Sequence, residues 1–261
     1  MTTQQASHWS HTPSVARIHD YLDGGTDCYN ADRRVGDALL SVAPWLGASV
    51  RVNRAHWPRV LACLTREYSI DQVVDLGCGL PHDDHRHLPD AVRRIVYVDN
   101  DPRVESHARM MLAERGGTSS LQADLRDMPA LLAAEKIQQL DHGRAIGVLL
   151  HDVLPWLDDS AARVVLTTLS DWLPSGSVVS LTHTHIAWNS RSEGQIIRLI
   201  DVYERAGIPF YPRTKQQIRA LLDSWTLLDD LVPTAEWRCS SPYPLRDHYS
   251  HAYATLTRKH R

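Results

Sequence analysis

The stretch Asp71-Gln-Val-Val-Asp75-Leu-Gly77-Cys-Gly79-Leu-Pro81 decides the fold class. A short apolar run that closes on glycines reads as a strand buried on both faces and leading into a tight turn. Similar runs follow at Ile95-Val-Tyr-Val-Asp99, Ser119 to Asp124, Ala145 to Leu150 and Ser177 to Thr182. Helical stretches, Arg103 to Arg115 and Ser160 to Trp172, lie between them, and Pro174-Ser-Gly176 forms a turn before the last. Acidic residues close three of the strands at Asp75, Asp99 and Asp124, at intervals of 24 and 25 residues. Strand, helix and strand at that rhythm predict right-handed crossovers and an α/β, doubly wound, mostly parallel sheet of Rossmann-like type. Ligands bind such sheets at the carboxyl ends of the strands.

Upstream, Val15, Ile18 and Leu22 have helical spacing and stop at Gly24-Gly25. Asp32 to Val42 and Val50 to Glu67 read as further helices, separated by Pro44-Trp45-Leu46-Gly47. Residues 14–70 are therefore expected to form a helical cap and 71–261 a Rossmann-like core, together one domain behind a flexible tail at 1–13. Downstream, Lys215 to Leu222 reads as a helix, and Thr226 to Leu231 with His251 to Thr257 as an antiparallel pair on the sheet edge.

Composition narrows the class. The chain has 261 residues, 43% hydrophobic, enough for a sizeable core. Its net charge of −3 leaves no basic footprint for nucleic acid or for an anionic membrane. No stretch approaches the roughly 18 uncharged apolar residues of a membrane helix. The polar start lacks the apolar core of a signal peptide, which argues for the cytoplasm. Cys28, Cys63, Cys78 and Cys239 are scattered, without the spacing of a thiolate metal site or a disulfide framework. One oddity remains: eight tryptophans against a single phenylalanine.

At the turn after the first strand, Gly77 and Gly79 let the backbone pass close to a ligand. A dinucleotide fingerprint would place a third glycine at position 82, which is His82. That departure, with the Asp75 carboxylate beside the turn, argues against a nicotinamide-dependent oxidoreductase. A carboxylate there suits a cation, Asp99 can accept both hydroxyls of a ribose, and Asp124 falls where an adenine edge would lie. Each of Asp99 and Asp124 could instead cap the helix that follows. Jointly and in order, the three fit an adenosine ligand with positive charge and no phosphate, S-adenosylmethionine. The contacts expected for it are Asp75, Gly77, Gly79 and Leu80, then Asp99 with Asn100, Asp124 with Leu125, and His151 at the fourth strand end.

The segments His19-Asp-Tyr-Leu-Asp-Gly-Gly-Thr-Asp27, Ala31-Asp-Arg33, Val52-Asn-Arg54, Gly79-Leu-Pro81, Val96-Tyr-Val-Asp-Asn-Asp-Pro102 and Gln122-Ala-Asp-Leu-Arg-Asp127 carry a resemblance. From about residue 13 to about residue 240 the chain resembles an actinobacterial family of S-adenosylmethionine-dependent methyltransferases, formerly a family of unknown function. The resemblance implies the class I methyltransferase fold, a seven-stranded sheet with an N-terminal helical lid. It also implies that Tyr21, Gly25 and Arg54 close over the methionine part, with the Arg54 guanidinium meeting a carboxylate. His151-Asp152 stands where the family usually has small apolar residues, and Pro155-Trp156 near where it has a histidine. His183 matches a family position, whereas His185 and Trp188 look like additions.

Methyl transfer asks a protein mainly for proximity and orientation, and for a general base only where the nucleophile must lose a proton. His151 is the first candidate, with Asp152 as its orienting partner or as an alternative base; His183 and Tyr29 rank second. Trp156, Trp188, His185 and Tyr29 are the expected acceptor contacts, and Trp45 lies near the mouth. Tryptophans bring rigid, amphipathic area, so a small aromatic acceptor is expected, specifically the indole of a tryptophan-derived cyclic dipeptide, methylated on carbon or nitrogen. The histidine run from His82 to His87 lacks metallohydrolase spacing and reads as a solvated loop, so no metal is expected. A non-catalytic protein that binds S-adenosylmethionine or S-adenosylhomocysteine stays open as an alternative. So does the choice between monomer and homodimer.

Overall fold

The computed structural model describes residues 10–81, 88–112, 116–186, 190–238 and 250–259. Its sheet begins with β1 (Gln72–Leu76), all five residues of which are buried. β2 (Arg94–Asp99) and β3 (Thr118–Gln122) lie on one side of β1, and β4 (Gly147–His151) and β5 (Val178–Thr184) on the other, all parallel. The edge is antiparallel: β6 (Trp225–Leu227), the two-residue β7 (Val232–Pro233) and β8 (Ala252–Lys259), with β8 pairing β5, β6 and β7. The spatial order is β3-β2-β1-β4-β5-β8-β6, and β7 is an eighth strand beyond the seven expected. The order reverses between β1 and β4, which opens a crevice at their carboxyl ends.

Alternate strand residues point to opposite faces. Val74, Val96, Val98 and Val148 join one apolar cluster, which α8 (Asp159–Trp172) and α10 (Lys215–Leu221) help to cover. Val73, Ile95, Tyr97 and Leu149 join another on the opposite face, with Leu61 and Leu64 packed against them. The crossover between β2 and β3 is the helix Pro102–Leu112, numbered α5 in chain order, and two short helices, α6 (Met128–Ala133) and α7 (Glu135–Gln138), lie between β3 and β4.

Four helices precede the sheet: α1 (Val15–Leu22), α2 (Asn30–Val42), α3 (Leu46–Arg54) and α4 (His56–Glu67). The single helix expected over Val50 to Glu67 is broken at Ala55. Pro58 has no N–H to donate, and its ring would collide with the Arg54 carbonyl in a continuous helix. A long helix that the sequence reading missed, α9 (Ser190–Arg205), packs over α1 to α3, so that Ile18, Leu22, Leu39 and Val50 share a third cluster with Ile196, Leu199 and Tyr203. The 3.6-residue spacing of Ile196, Leu199 and Tyr203 was its signal. Among the described residues, no helix is long and apolar enough to cross a membrane.

Ile18 is fully buried at the centre of this third cluster. Ile18→Ala is expected to lower the unfolding free energy by about 2–5 kcal/mol; a urea titration checks this, and an unchanged midpoint would contradict the packing.

Candidate active site

A cavity of about 420 Å³ opens at the carboxyl ends of β1, β2, β4 and β5. Its floor is the turn after β1. The N–H groups of Gly77 and Cys78 both reach the Val98 carbonyl, at 2.7 and 3.1 Å, which pins the turn to β2. Gly77 has φ +70°, and a Cβ there would stand 2.6 Å from Val153. Gly79 has φ +66° with open space where its Cβ would be, so the backbone forms a cradle that a side chain would fill.

Two carboxylates face this cradle. Asp75 is 3% exposed and accepts a hydrogen bond from the Trp57 indole N–H at 2.7 Å. Burial pushes its pKa up to about 7; the Trp57 bond opposes the rise and neighbouring Asp99 adds to it. Asp99 accepts the Gly79 N–H at 3.0 Å on one oxygen and the Asp101 N–H at 2.9 Å on the other. Burial raises its pKa to about 6 against the pull of those amides. Each oxygen keeps a second lone pair for a ligand hydroxyl. Asp124 accepts the Arg126 N–H at 2.9 Å, so it caps the following turn and also lines the cavity. Leu80, Asn100, Leu125 and Arg54 line it too, with the Arg54 guanidinium 2.9 Å from Asp23.

Farther along, β4 ends in His151 and Asp152 follows it, both on the cavity wall. The expected His151–Asp152 pairing is not formed. His151 Nε2 lies 2.9 Å from the Ser180 hydroxyl, and burial lowers its pKa to about 3. Asp152 stands at φ +54°, where its Oδ1 accepts both the N–H and the hydroxyl of Thr184 at 2.8 and 2.5 Å. Burial raises the Asp152 pKa despite these bonds. The Asp152 carbonyl accepts the Trp156 indole N–H at 2.8 Å. Trp156 stacks on Phe210 at 4.7 Å and meets the edges of Tyr203 and His19. Trp45 stacks on His251 at 3.7 Å, and both line the cavity.

Other expected site residues are elsewhere. His183 is fully buried between the Thr184 carbonyl at 2.7 Å and Arg213 at 3.0 Å, a strand-to-loop tie rather than a cavity group. His185 is buried against Tyr253 and His251, behind the lining. Tyr29 turns to α5, where its hydroxyl accepts from Arg103 at 2.9 Å. The Tyr21 ring lies against Gly36 and its hydroxyl donates to Asp37, while Gly25 leaves room for the Asp20 carboxylate. These motif residues hold the α1–α2 hairpin together. Trp188 and the run His82 to His87 lie outside the described residues. Among the described residues, no group of three or more His, Cys, Asp or Glu converges as metal ligands do.

The sequence gives Trp57 no site role, and His19, Tyr203 and Phe210 are not among the lining residues it suggests. The helical period of α9 could have found Tyr203, but the Trp57–Asp75 bond left no sequence signal.

The strand order and the crevice at the switch point define a class I methyltransferase fold. A family model described as S-adenosyl methyltransferase matches residues 1–260, and the chain belongs to that family. A solved structure from Thermobifida fusca YX, assigned to the methyltransferases, is 28% identical, covers 96% of each chain and superposes with a TM-score of 0.86. A DUF574 family protein from Streptomyces avermitilis MA-4680 is 28% identical over 96% of this chain and 99% of its own, with a TM-score of 0.87. The N-methyltransferase NodS from Bradyrhizobium japonicum WM9, in complex with S-adenosylhomocysteine, shares the fold at 14% identity, covering 94% and 100%, with a TM-score of 0.51. No curated protein matches the sequence. The chain is thus an S-adenosylmethionine-dependent methyltransferase, and the oxidoreductase and non-catalytic readings give way. The site fits this cofactor: an open backbone cradle, beside two buried carboxylates whose charge a ligand ammonium and hydroxyls would stabilise.

Removing the Trp57 donor is expected to raise the Asp75 pKa above about 7 in Trp57→Phe. Carbon-13 NMR of the carboxyl resonances against pH measures it, and a lowered midpoint would refute the role given to the indole.

Proposed function

We propose that this enzyme methylates a small aromatic natural product in the cytoplasm, specifically the indole of a tryptophan-derived cyclic dipeptide, on carbon or nitrogen. The observation that carries this is the Asp152 carboxylate, one oxygen held by Thr184, beside the Trp156–Phe210–Tyr203 cluster. Stacked and edge-on rings of this kind take a flat, electron-rich acceptor.

S-adenosylmethionine supplies an electrophilic methyl on a sulfonium and leaves as a neutral thioether. In the proposed assignment, Asp99 accepts the ribose hydroxyls, Asp75 pairs with the ammonium, Arg54 meets the carboxylate, and Asp124 with Leu125 borders the adenine. The acceptor, held against Trp156, loses a proton as its new bond to carbon forms. Asp152 is better suited than His151 to receive it. Burial makes the carboxylate more basic and the imidazole less so. His151, bonded to Ser180, then lines the space between the two ligands.

Isotopically methyl-labelled cofactor with a tryptophan-derived cyclic dipeptide, a simple phenol and an aliphatic amine tests the acceptor class. Label on the indole compound supports the proposal, and transfer to the aliphatic amine alone overturns it. Asp152→Asn should lower turnover by about 10²–10⁴-fold with S-adenosylhomocysteine affinity retained; equal losses in both would remove Asp152 from the proton-transfer role.

The raised pKa values also give the pH dependence a sign. In the free protein Asp75 and Asp99 hold protons below about pH 7 and pH 6 respectively. An ammonium ligand needs Asp75 ionised, so affinity falls as pH drops. The expected loss approaches tenfold per unit for each proton displaced. Calorimetry with S-adenosylhomocysteine from pH 8 to 5.5, in buffers of different ionisation enthalpy, should show proton release; proton uptake would reverse the assignment.

A further inference from the structure

One buried side chain joins the cofactor crevice to the acceptor side. Arg17, on α1, is 3% exposed, and its Nε donates to Asp32 on α2 at 2.9 Å while its Nη1 donates to Asp101 at 2.5 Å. Its Nη2 donates to the Thr12 carbonyl at 2.5 Å. Both carboxylates are almost completely buried. Backbone N–H donors offset the remaining negative charge. Asp32 also accepts the N–H groups of Ser14 and Tyr29, at 2.9 and 2.8 Å, and Asp101 accepts the Arg103 N–H at 2.9 Å.

Asp101 is one hydrogen bond from Asp99, the carboxylate assigned above to the ribose hydroxyls, since its N–H is the donor to Asp99. At the other end of the bridge, Ser14, Val15, Ala16 and His19 line the cavity wall, with Trp156 against His19. A rim tie runs parallel to it, in which Arg103 donates to Tyr29 and His107 stands 3.3 Å from Asp27. The buried triad is the tie that reaches the β2 turn directly. Apolar side chains in its place would pack α1 as firmly, because a buried ion pair gains little net stability over them. What a planar, forked guanidinium adds is a fixed geometry between two separate elements.

We infer that Arg17 is a positioning residue that transmits occupancy of the ribose carboxylate, through Asp101, to the α1 wall of the acceptor chamber. Ribose hydroxyls on Asp99 hold the 99–101 turn in one arrangement, the turn fixes Asp101, and Arg17 then sets α1. Occupancy of Asp99 thereby biases the α1 wall toward the arrangement that the triad holds. A ligand shifts such an equilibrium only by its differential affinity for the two arrangements, and the triad is where that difference is read. This rests on the cofactor placement proposed above.

Hydrogen–deuterium exchange of the full-length protein, with and without S-adenosylhomocysteine, tests it. Residues 77–80 report occupancy and residues 15–22 report the wall. In the wild type, saturating ligand should slow exchange about tenfold at both. Asp101→Asn keeps an oxygen for the Arg103 N–H but weakens the link to Arg17, and Arg17→Lys offers one point charge where two carboxylates must be bridged. Either variant should keep the slowing at 77–80 and hold that at 15–22 to less than about twofold. A wall effect undiminished in both variants, or no wall effect in the wild type while 77–80 is protected, overturns the inference alone. No protection at 77–80 in the wild type overturns the cofactor placement together with it.

Discussion

Two carboxylates held out of water at neighbouring strand ends are the constraint on which the rest of the site depends. Removing Asp75 and Asp99 from solvent opposes their ionisation, and the fold answers with a few directed donors: the Trp57 indole, the Gly79 amide and the Asp101 amide. Those donors hold the side chains in place without neutralising them. Ionising them in the free protein is costly, and in the proposed assignment a ligand bearing an ammonium and two hydroxyls would offset that cost. The glycine turn has to be tight for the same reason. Gly77 brings β1 against Val153, and any bulk there would lift the cradle away from Asp99.

The roof obeys a different rule. Helices α1, α2, α3 and α9 meet through an apolar cluster, while the polar residues on α1 and α2 serve one another. Tyr21, Asp20 with Gly25, and Asp32 with Arg17 are internal fastenings of the hairpin. Arg17 also carries this network to Asp101 beyond β2. The proposed acceptor side differs again: its area is the Trp156, Phe210 and Tyr203 rings, and one carboxylate, Asp152, is oriented beside them by Thr184.

How legible this was depended on the range of the interaction. The strands, the 24- and 25-residue spacing of Asp75, Asp99 and Asp124, and the antiparallel edge could be read because each is a local pattern of apolar runs, turns and terminal residues. The Pro58 break was readable in principle from one residue and its clash with a carbonyl four positions back. Roles inside the cavity were much less readable. His151 and Asp152 are adjacent in sequence and look like a pair, yet each bonds to β5, to Ser180 and Thr184 respectively. Successive residues at a strand end point apart, so adjacency in sequence is poor evidence of contact there. His183 and His185 sit on or just beyond the same strand and turn away behind the lining.

By itself, the sequence determined an α/β chain with a parallel sheet and a carboxylate at each of three successive strand ends. It also placed a glycine turn beside the first, because periodicity and turn chemistry act over a few residues. The tertiary structure alone decided which polar groups are partners. Trp57 reaches Asp75 across 18 positions, Asp152 reaches Thr184 across 32, and Arg17 reaches Asp101 across 84. Such bonds depend on burial and on the packing of whole elements, and no local pattern of residue types encodes them.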